Sequence, residues 1–296
     1  MSRIKVSYCK PIISKSQSPW LFEISPNRTK FRLNFKEIYL YRDLLLLFIR
    51  RDIVSVYKQT ILGPLWYFIS PLLASVTQYW VFGRLAELPS DGTPYFLFVL
   101  CGNVLWSYFQ TSLTGTANTF QANQGIFGKV YFPRAIVPLS ITISNLFQFG
   151  IKLLLMMVFI LIMGQTSKIN AWAFMLPALI ALMALISMGL GMIVSSLTTK
   201  YKDFVTLMSF AVGLSMYVTP VIFPTSMFLE KLSPEKQWMI YANPLTSIFD
   251  VFRVGFFGAG NINMWGLLYT VVFAIMVYII GLFVFNRVEK SFMDTI

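Results

Sequence analysis

Few residues of this chain could do chemistry, and they do not gather. Gly128-Lys129 comes nearest to a phosphate-binding loop, in which a glycine, four residues and Gly-Lys-Ser/Thr wrap phosphate in backbone N–H groups. Asn123 stands where the leading glycine is required and Val130 replaces the hydroxyl, so the chain does not hydrolyse ATP by that route. Histidine is absent, which removes the commonest general base and a common metal ligand together. Carboxylates do not cluster into a metal site, and Cys9 and Cys101 sit in unrelated settings that make no disulfide framework. No catalytic residue, metal ligand or cofactor is assigned to this chain. Lys152 is the one ionisable residue set deep within an apolar run, where such residues mark ion or substrate paths. Either its long stem carries the charge to water or a wet cavity, or it contacts an anionic substrate. No Asp or Glu shares that depth, which argues against a proton- or sodium-driven carrier.

Hydropathy sets the elements that must position these residues. Apolar residues make up 56% of the chain and charged ones only 12%, where a soluble domain carries about a quarter charged. Charge-free runs cover Ile61–Gly83, Gly92–Gly128, Ala135–Ile151, Ile169–Thr199, Phe204–Leu229 and Val254–Asn286. A helix needs about 20 residues to cross about 30 Å of hydrocarbon. The third run resumes beyond Lys152, so six spans are predicted: the first within 61–83, then Tyr95–Thr116, Ile136–Met163, Trp172–Leu197, Val205–Phe223 and Met264–Phe285. The fold class is all-α integral membrane. Between spans 5 and 6, Pro220, Pro224, Pro234 and Pro244 break the apolar pieces, which predicts two short external re-entrant helices, about Thr225–Leu232 and Asn243–Phe256. Residues 1–33 read as an irregular cytoplasmic extension, residues 34–60 as an amphipathic interface helix and residues 61–296 as the six-span domain. The first long apolar run comes too late for a secretory signal.

The net charge of +12 is distributed by side rather than by patch. Eighteen Lys/Arg fall in the N-terminal segment, after spans 2, 4 and 6, and five fall on the opposite side: Arg84, Lys168, Lys231, Lys236 and Arg253. That bias puts both termini in the cytoplasm of a multi-pass inner-membrane protein, and it argues against nucleic acid as the partner. On the interface helix, Lys36, Glu37, Asp43, Arg50, Arg51 and Lys58 face away from an apolar arc of Phe35, Ile38, Tyr39, Leu45, Leu46, Ile49, Ile53 and Val56. Arg50, Arg51 and Lys58 either anchor to anionic lipid headgroups or guide an acidic lipid-linked substrate; Arg42, within the apolar arc, either snorkels or pairs with a lipid phosphate. Trp66, Tyr67, Tyr79, Trp80, Tyr95, Trp106, Trp172 and Trp265 lie near span ends, where interface belts gather aromatics. Stacking on sugar rings is the other reading of the same side chains.

Three stretches carry a resemblance. RDIVSVYKQTILGPLWYFISP presents Arg51, Asp52, Tyr57, Thr60, Leu62, Gly63, Trp66 and Pro71 in a pattern similar to the helix-to-span junction of type-2 ABC exporter permeases, in the branch that exports O-antigen and other lipid-linked polysaccharides. NQGIFGKVYFPRAIVPLS, with Asn123, Lys129–Arg134 and Pro138, resembles that family's cytoplasmic loop between spans 2 and 3. Tyr217–Pro224 and Tyr241–Thr246 resemble its external gate region. The likeness runs from about Phe35 to the C-terminus and leaves the first 33 residues outside it.

The resemblance implies a homodimer joined by two copies of a cytoplasmic ATPase, which holds the ATP and magnesium. Gln121, Asn123, Lys129, Tyr131, Pro133 and Arg134, with Lys200, Lys202 and Asp203 in the turn after span 4, would take the push of that motor. Tyr67, Tyr79, Lys152, Tyr217, Phe223, Tyr241 and Phe249 are the channel or gate residues it suggests. The cargo would be a polyprenyl-linked polysaccharide, with teichoic-acid or capsule-type glycans as the near alternative. An integral-membrane enzyme acting on polyprenyl phosphates is the other class; Asp52, Asp203 and Glu289 lie on separate elements and make no acidic cluster for it.

Overall fold

In hydrocarbon every backbone N–H and C=O must be satisfied within its own segment, so a chain of this hydropathy folds as helices. A computed structural model describes residues 39–58, 63–127, 129–130, 132–201 and 203–292, and all regular structure among them is helical. The N-terminal extension, Tyr131, Lys202 and the start of the interface helix lie outside the described residues. The elements are α1 (Arg42–Lys58), α2 (Trp66–Gln78), α3 (Tyr95–Ala117), the short α4 (Thr119–Ala122) and α5 (Gln124–Phe127), α6 (Ile136–Ile162), α7 (Leu176–Thr198), α8 (Phe204–Val218), α9 (Thr225–Lys231), α10 (Trp238–Tyr241), α11 (Pro244–Phe257) and α12 (Met264–Phe292).

Four helical stretches are long and apolar enough to cross a membrane: Tyr95–Ala117, Ile136–Ile162, Ala171–Thr198 and Met264–Val288. They match predicted spans 2, 3, 4 and 6 closely. The other two predicted spans take different forms. The first is α2 followed without a break by a π-helical segment, Tyr79–Leu85. The fifth, predicted to run to Phe223, stops at Val218, where Thr219 turns extended (φ −90°, ψ 144°). The residue before a proline is pushed out of the helical region, and Pro220 follows Thr219.

The central helix is α3, apolar on all sides as a fully surrounded helix must be; Leu97, Val99, Leu100, Cys101, Val104 and Leu105 have no exposed surface. It packs on α2, α6, α7, α8 and α11. Polar pairs fix its rotation: Asn103 donates to Ser75 and Gln78 of α2 (both 2.9 Å), and Asn145 of α6 donates to Ser112 (3.3 Å). The α7–α12 crossing, the most extensive contact in the molecule, is made by glycines. A Cβ on Gly281 would lie 2.5 Å from the Gly189 carbonyl oxygen, and one on Gly189 would lie 2.8 Å from the backbone at Val277 and Tyr278. Small residues let membrane helices approach to backbone distance.

Helix α8 is the loosest element. Only Val212 of its 15 residues is buried, and a cavity of about 400 Å³, lined by Phe109, Ile186, Met208, Val212, Leu245 and others, lies between it and the core. Helix α11 has clear ends: Asn243 accepts from the Leu245 N–H at 3.0 Å, Pro244 opens the first turn, and Gly258 closes the last at φ +61°.

Between α1 and α2, Gly63 sits at φ +45°, a left-handed conformation that favours glycine. Helix α1 packs on α6 through Tyr41, Leu44, Leu45 and Phe48, of which only Leu45 belongs to the predicted apolar arc. Tyr39, Leu40, Leu46 and Leu47 are exposed, because contact with α6 and Phe132 uses one side of the helix and leaves a second apolar strip outward.

Candidate functional site

The two segments predicted to meet a motor are adjacent. The Gln121 amide donates to the Thr198 carbonyl at 3.5 Å, and the Thr198 hydroxyl reaches the Ala117 carbonyl at 3.5 Å. Lys129, Lys200 and Asp203 are exposed there. Asn123 and Arg134 are not: both are buried, and Asn123 bonds the Thr119 carbonyl at 3.0 Å. Arg134 is 4% exposed, with its guanidinium 5.1 Å from the centre of the Phe127 ring. The buried pair therefore shapes the loop from inside, and the exposed residues form its outer face.

Beneath that loop lies a cluster of rings. Phe120 stacks on Phe285 of α12 (4.6 Å) and meets Phe127 (5.9 Å); Phe132 meets Phe127 and Phe48 of α1, each at 5.7 Å. One small loop thus touches α1, α7 and α12 together. Of the predicted lipid contacts, Arg50 and Lys58 are exposed. Arg42 donates to the Tyr39 hydroxyl (2.9 Å) and lies 3.8 Å from Asp43. Arg51 forks onto Asp52, Nε and the second guanidinium nitrogen each at 2.9 Å, and covers the Phe48 ring.

The predicted channel and gate residues do not form one lining. Tyr79 and Phe223 belong to separate ring contacts, Tyr79 against Phe96 (6.4 Å) and Phe223 against Phe82 (6.0 Å). Arg84 donates to the Tyr79 hydroxyl at 2.9 Å. Tyr217 is exposed on α8, Tyr241 is half-buried beside Gly266 of α12, and Tyr67 and Phe249 are buried.

Lys152 is 8% exposed at mid-α6, and its ammonium donates to the Ser107 hydroxyl of α3 at 3.0 Å. Helices α2, α3 and α6 carry no carboxylate. A lysine at the centre of a membrane helix costs about 2.5–3.5 kcal/mol relative to an apolar residue. Lys152→Met, of similar length, is therefore expected to stabilise the fold by about 2–3 kcal/mol in a denaturant titration. A loss of stability in that titration would mean that an internal partner holds the charge.

A second polar group escaped the sequence reading. Helix α11 buries Asp250 and Arg253, each 2% exposed. Arg253 donates to the Val221 carbonyl at 2.8 Å, and its guanidinium lies 3.7 Å from the centre of the Phe98 ring. Thr225 donates to Asp250 at 2.6 Å, Ser226 to Asp91 at 2.6 Å, and the Tyr95 hydroxyl to the Ile222 carbonyl at 3.1 Å. Burial pushes the Asp250 carboxyl up to about 6, with Thr225 and Arg253 opposing the shift. Opposite charges three residues apart inside an apolar helix (Asp250 and Arg253) were the available signal; only Arg253 was counted, as external charge.

Comparison with known proteins gives one consistent likeness. Residues 43–257 match the family model described as ABC-2 type transporter. An "O-antigen export system permease protein RfbA" of Klebsiella pneumoniae is 29% identical over 257 residues, covering 86% of this chain and 95% of that protein. A protein of the same name from Myxococcus xanthus is 27% identical over 222 residues, 75% of this chain and 83% of its own length. The "Capsule polysaccharide export inner-membrane protein CtrC" of Neisseria meningitidis is 23% identical over 246 residues, 81% of this chain and 89% of that one.

Proposed function

The chain belongs to the ABC-2 type transporter family, and we propose that it is the membrane subunit of an ATP-driven exporter that carries a lipid-linked polysaccharide such as O-antigen from the cytoplasm across the inner membrane. In this reading two copies form the path, two copies of a separate cytoplasmic ATPase bind ATP and magnesium, and both termini lie in the cytoplasm with the ATPase. Helix α2 with its π-helical end and α8 with the segment after it are the first and fifth of six spans, and α1 lies in the cytoplasmic interface. The observation that carries the reading is the joining of the 121–134 loop to the 198–203 turn over a ring cluster that reaches α1 and α12. A motor pressing on the exposed Lys129 and Lys200 side would move several helices at once, and its nucleotide state would bias their arrangement by preferring one of them.

The relatives named for O-antigen export support the substrate class, and the capsule-export relative keeps a capsule-type glycan as the second reading. The test is reconstitution. Co-purification with an ATPase subunit, followed by ATP hydrolysis in liposomes, is expected to show stimulation by the lipid-linked glycan and none by the free lipid carrier. A chain that pairs with no ATPase, or a complex whose hydrolysis ignores every glycan, would remove the proposal.

A further inference from the structure

We propose that Arg253 and Asp250 are positioning residues that clamp the 219–226 segment over one end of α3, and that the clamp must release for the cargo to leave. The second half rests on the export reading; the first does not. The segment is held along its whole length by elements distant in sequence. Asn243 donates to Thr219 at 2.9 Å, Arg253 to the Val221 carbonyl, Tyr95 to the Ile222 carbonyl, and Thr225 and Ser226 donate to Asp250 and Asp91. The fit to α3 is close: a Cβ on Gly102 would lie 2.5 Å from the Val221 carbonyl oxygen. Val221 and Ile222 are themselves buried.

Two features separate this arrangement from ordinary packing. It buries two opposite charges, Asp250 and Arg253, in a helix where apolar residues would pack as well, and buried charge is weak evidence for stability in itself. It also leaves the second Asp250 oxygen, and Nε and one terminal nitrogen of Arg253, without hydrogen bonds among the described residues, so the charges are not locked into a complete network. The segment joins α8, a helix with one buried residue among its 15, to α9.

The molecule carries a reporter. Cys101 has no exposed surface and lies against Arg253, and the chain's only other cysteine is Cys9. In the full-length Cys9→Ser chain in lipid nanodiscs, a polar maleimide is expected to label Cys101 slowly, and at least ten-fold faster in Arg253→Ala and Asp250→Asn. Arg253→Lys, which keeps the charge and a donor for the Val221 carbonyl, is expected to restore at least half of the protection. General loosening is read by Ser195→Cys in a Cys101→Ser background, a fully buried α7 position expected to stay protected in every variant.

Equal Cys101 protection in Arg253→Ala, Asp250→Asn and the parent overturns the clamp, as does parallel exposure of the Ser195→Cys thiol. With the ATPase bound, the parent chain is expected to label at least five-fold faster during glycan-dependent hydrolysis. Protection unchanged during such hydrolysis overturns release while leaving the clamp. Absence of glycan-dependent hydrolysis strikes the export reading instead, and the variants still decide the clamp.

Discussion

Gly281→Leu is expected to yield at least ten-fold less monodisperse protein than the parent chain after detergent extraction, with the remainder aggregated. At this position a Cβ would lie 2.5 Å from the carbonyl oxygen of Gly189 and 3.0 Å from its Cα. An overpacked core usually costs about 1–3 kcal/mol because side chains rotate aside; here the obstacle is backbone on a facing helix, and only separation of α7 from α12 relieves it. That crossing joins the inner core of α3 and α7 to the helix whose C-terminal half stacks on the 121–134 loop through Phe285. Gly150→Leu on α6 is the control, since nothing lies within 4 Å of a Cβ there, and it is expected to behave as the parent. Equal yields from Gly281→Leu and the parent would mean that α7 and α12 do not cross at these glycines.

The long helices were legible because hydrocarbon imposes a length and an apolarity that few other constraints imitate. Tyr95–Ala117 and Ile136–Ile162 fall within a residue of their predicted ends, and the start of α11 was marked by Pro244. The π-helical stretch Tyr79–Leu85 was not, since one added residue in a turn leaves no trace in hydropathy. Within it, a Cβ on Gly83 would lie 2.6 Å from the Tyr95 ring, a contact visible only once α3 is in place. The same distinction runs through the site. Polar and basic letters singled out the 121–134 loop and the 198–203 turn, and Lys129, Lys200 and Asp203 are exposed there. Burial of Asn123, Arg134 and Phe249 is a property of the assembled bundle, and so is the Asp250–Arg253 clamp, where the Tyr95–Ile222 bond joins residues 127 positions apart.

On the export reading, Arg134→Ala is expected to cut glycan export at least ten-fold while the complex with the ATPase still assembles and hydrolyses ATP. The guanidinium sits over Phe127, whose ring meets Phe120 and Phe132, and those two rings reach α12 and α1 respectively. A desolvated cation–π contact contributes about 2 kcal/mol, roughly a thirty-fold bias in any equilibrium that the contact controls. Without it the loop can bend where it should transmit, so a push on its outer face is absorbed before it reaches Phe285. Lys129→Ala changes only that exposed face and is expected to weaken the ATPase's grip, correctable by raising ATPase concentration, whereas the Arg134→Ala defect is not. The measurement is the ratio of glycan exported to ATP hydrolysed at saturating ATPase. A ratio unchanged in Arg134→Ala would mean that the ring cluster is only packing, and that force enters the membrane helices elsewhere.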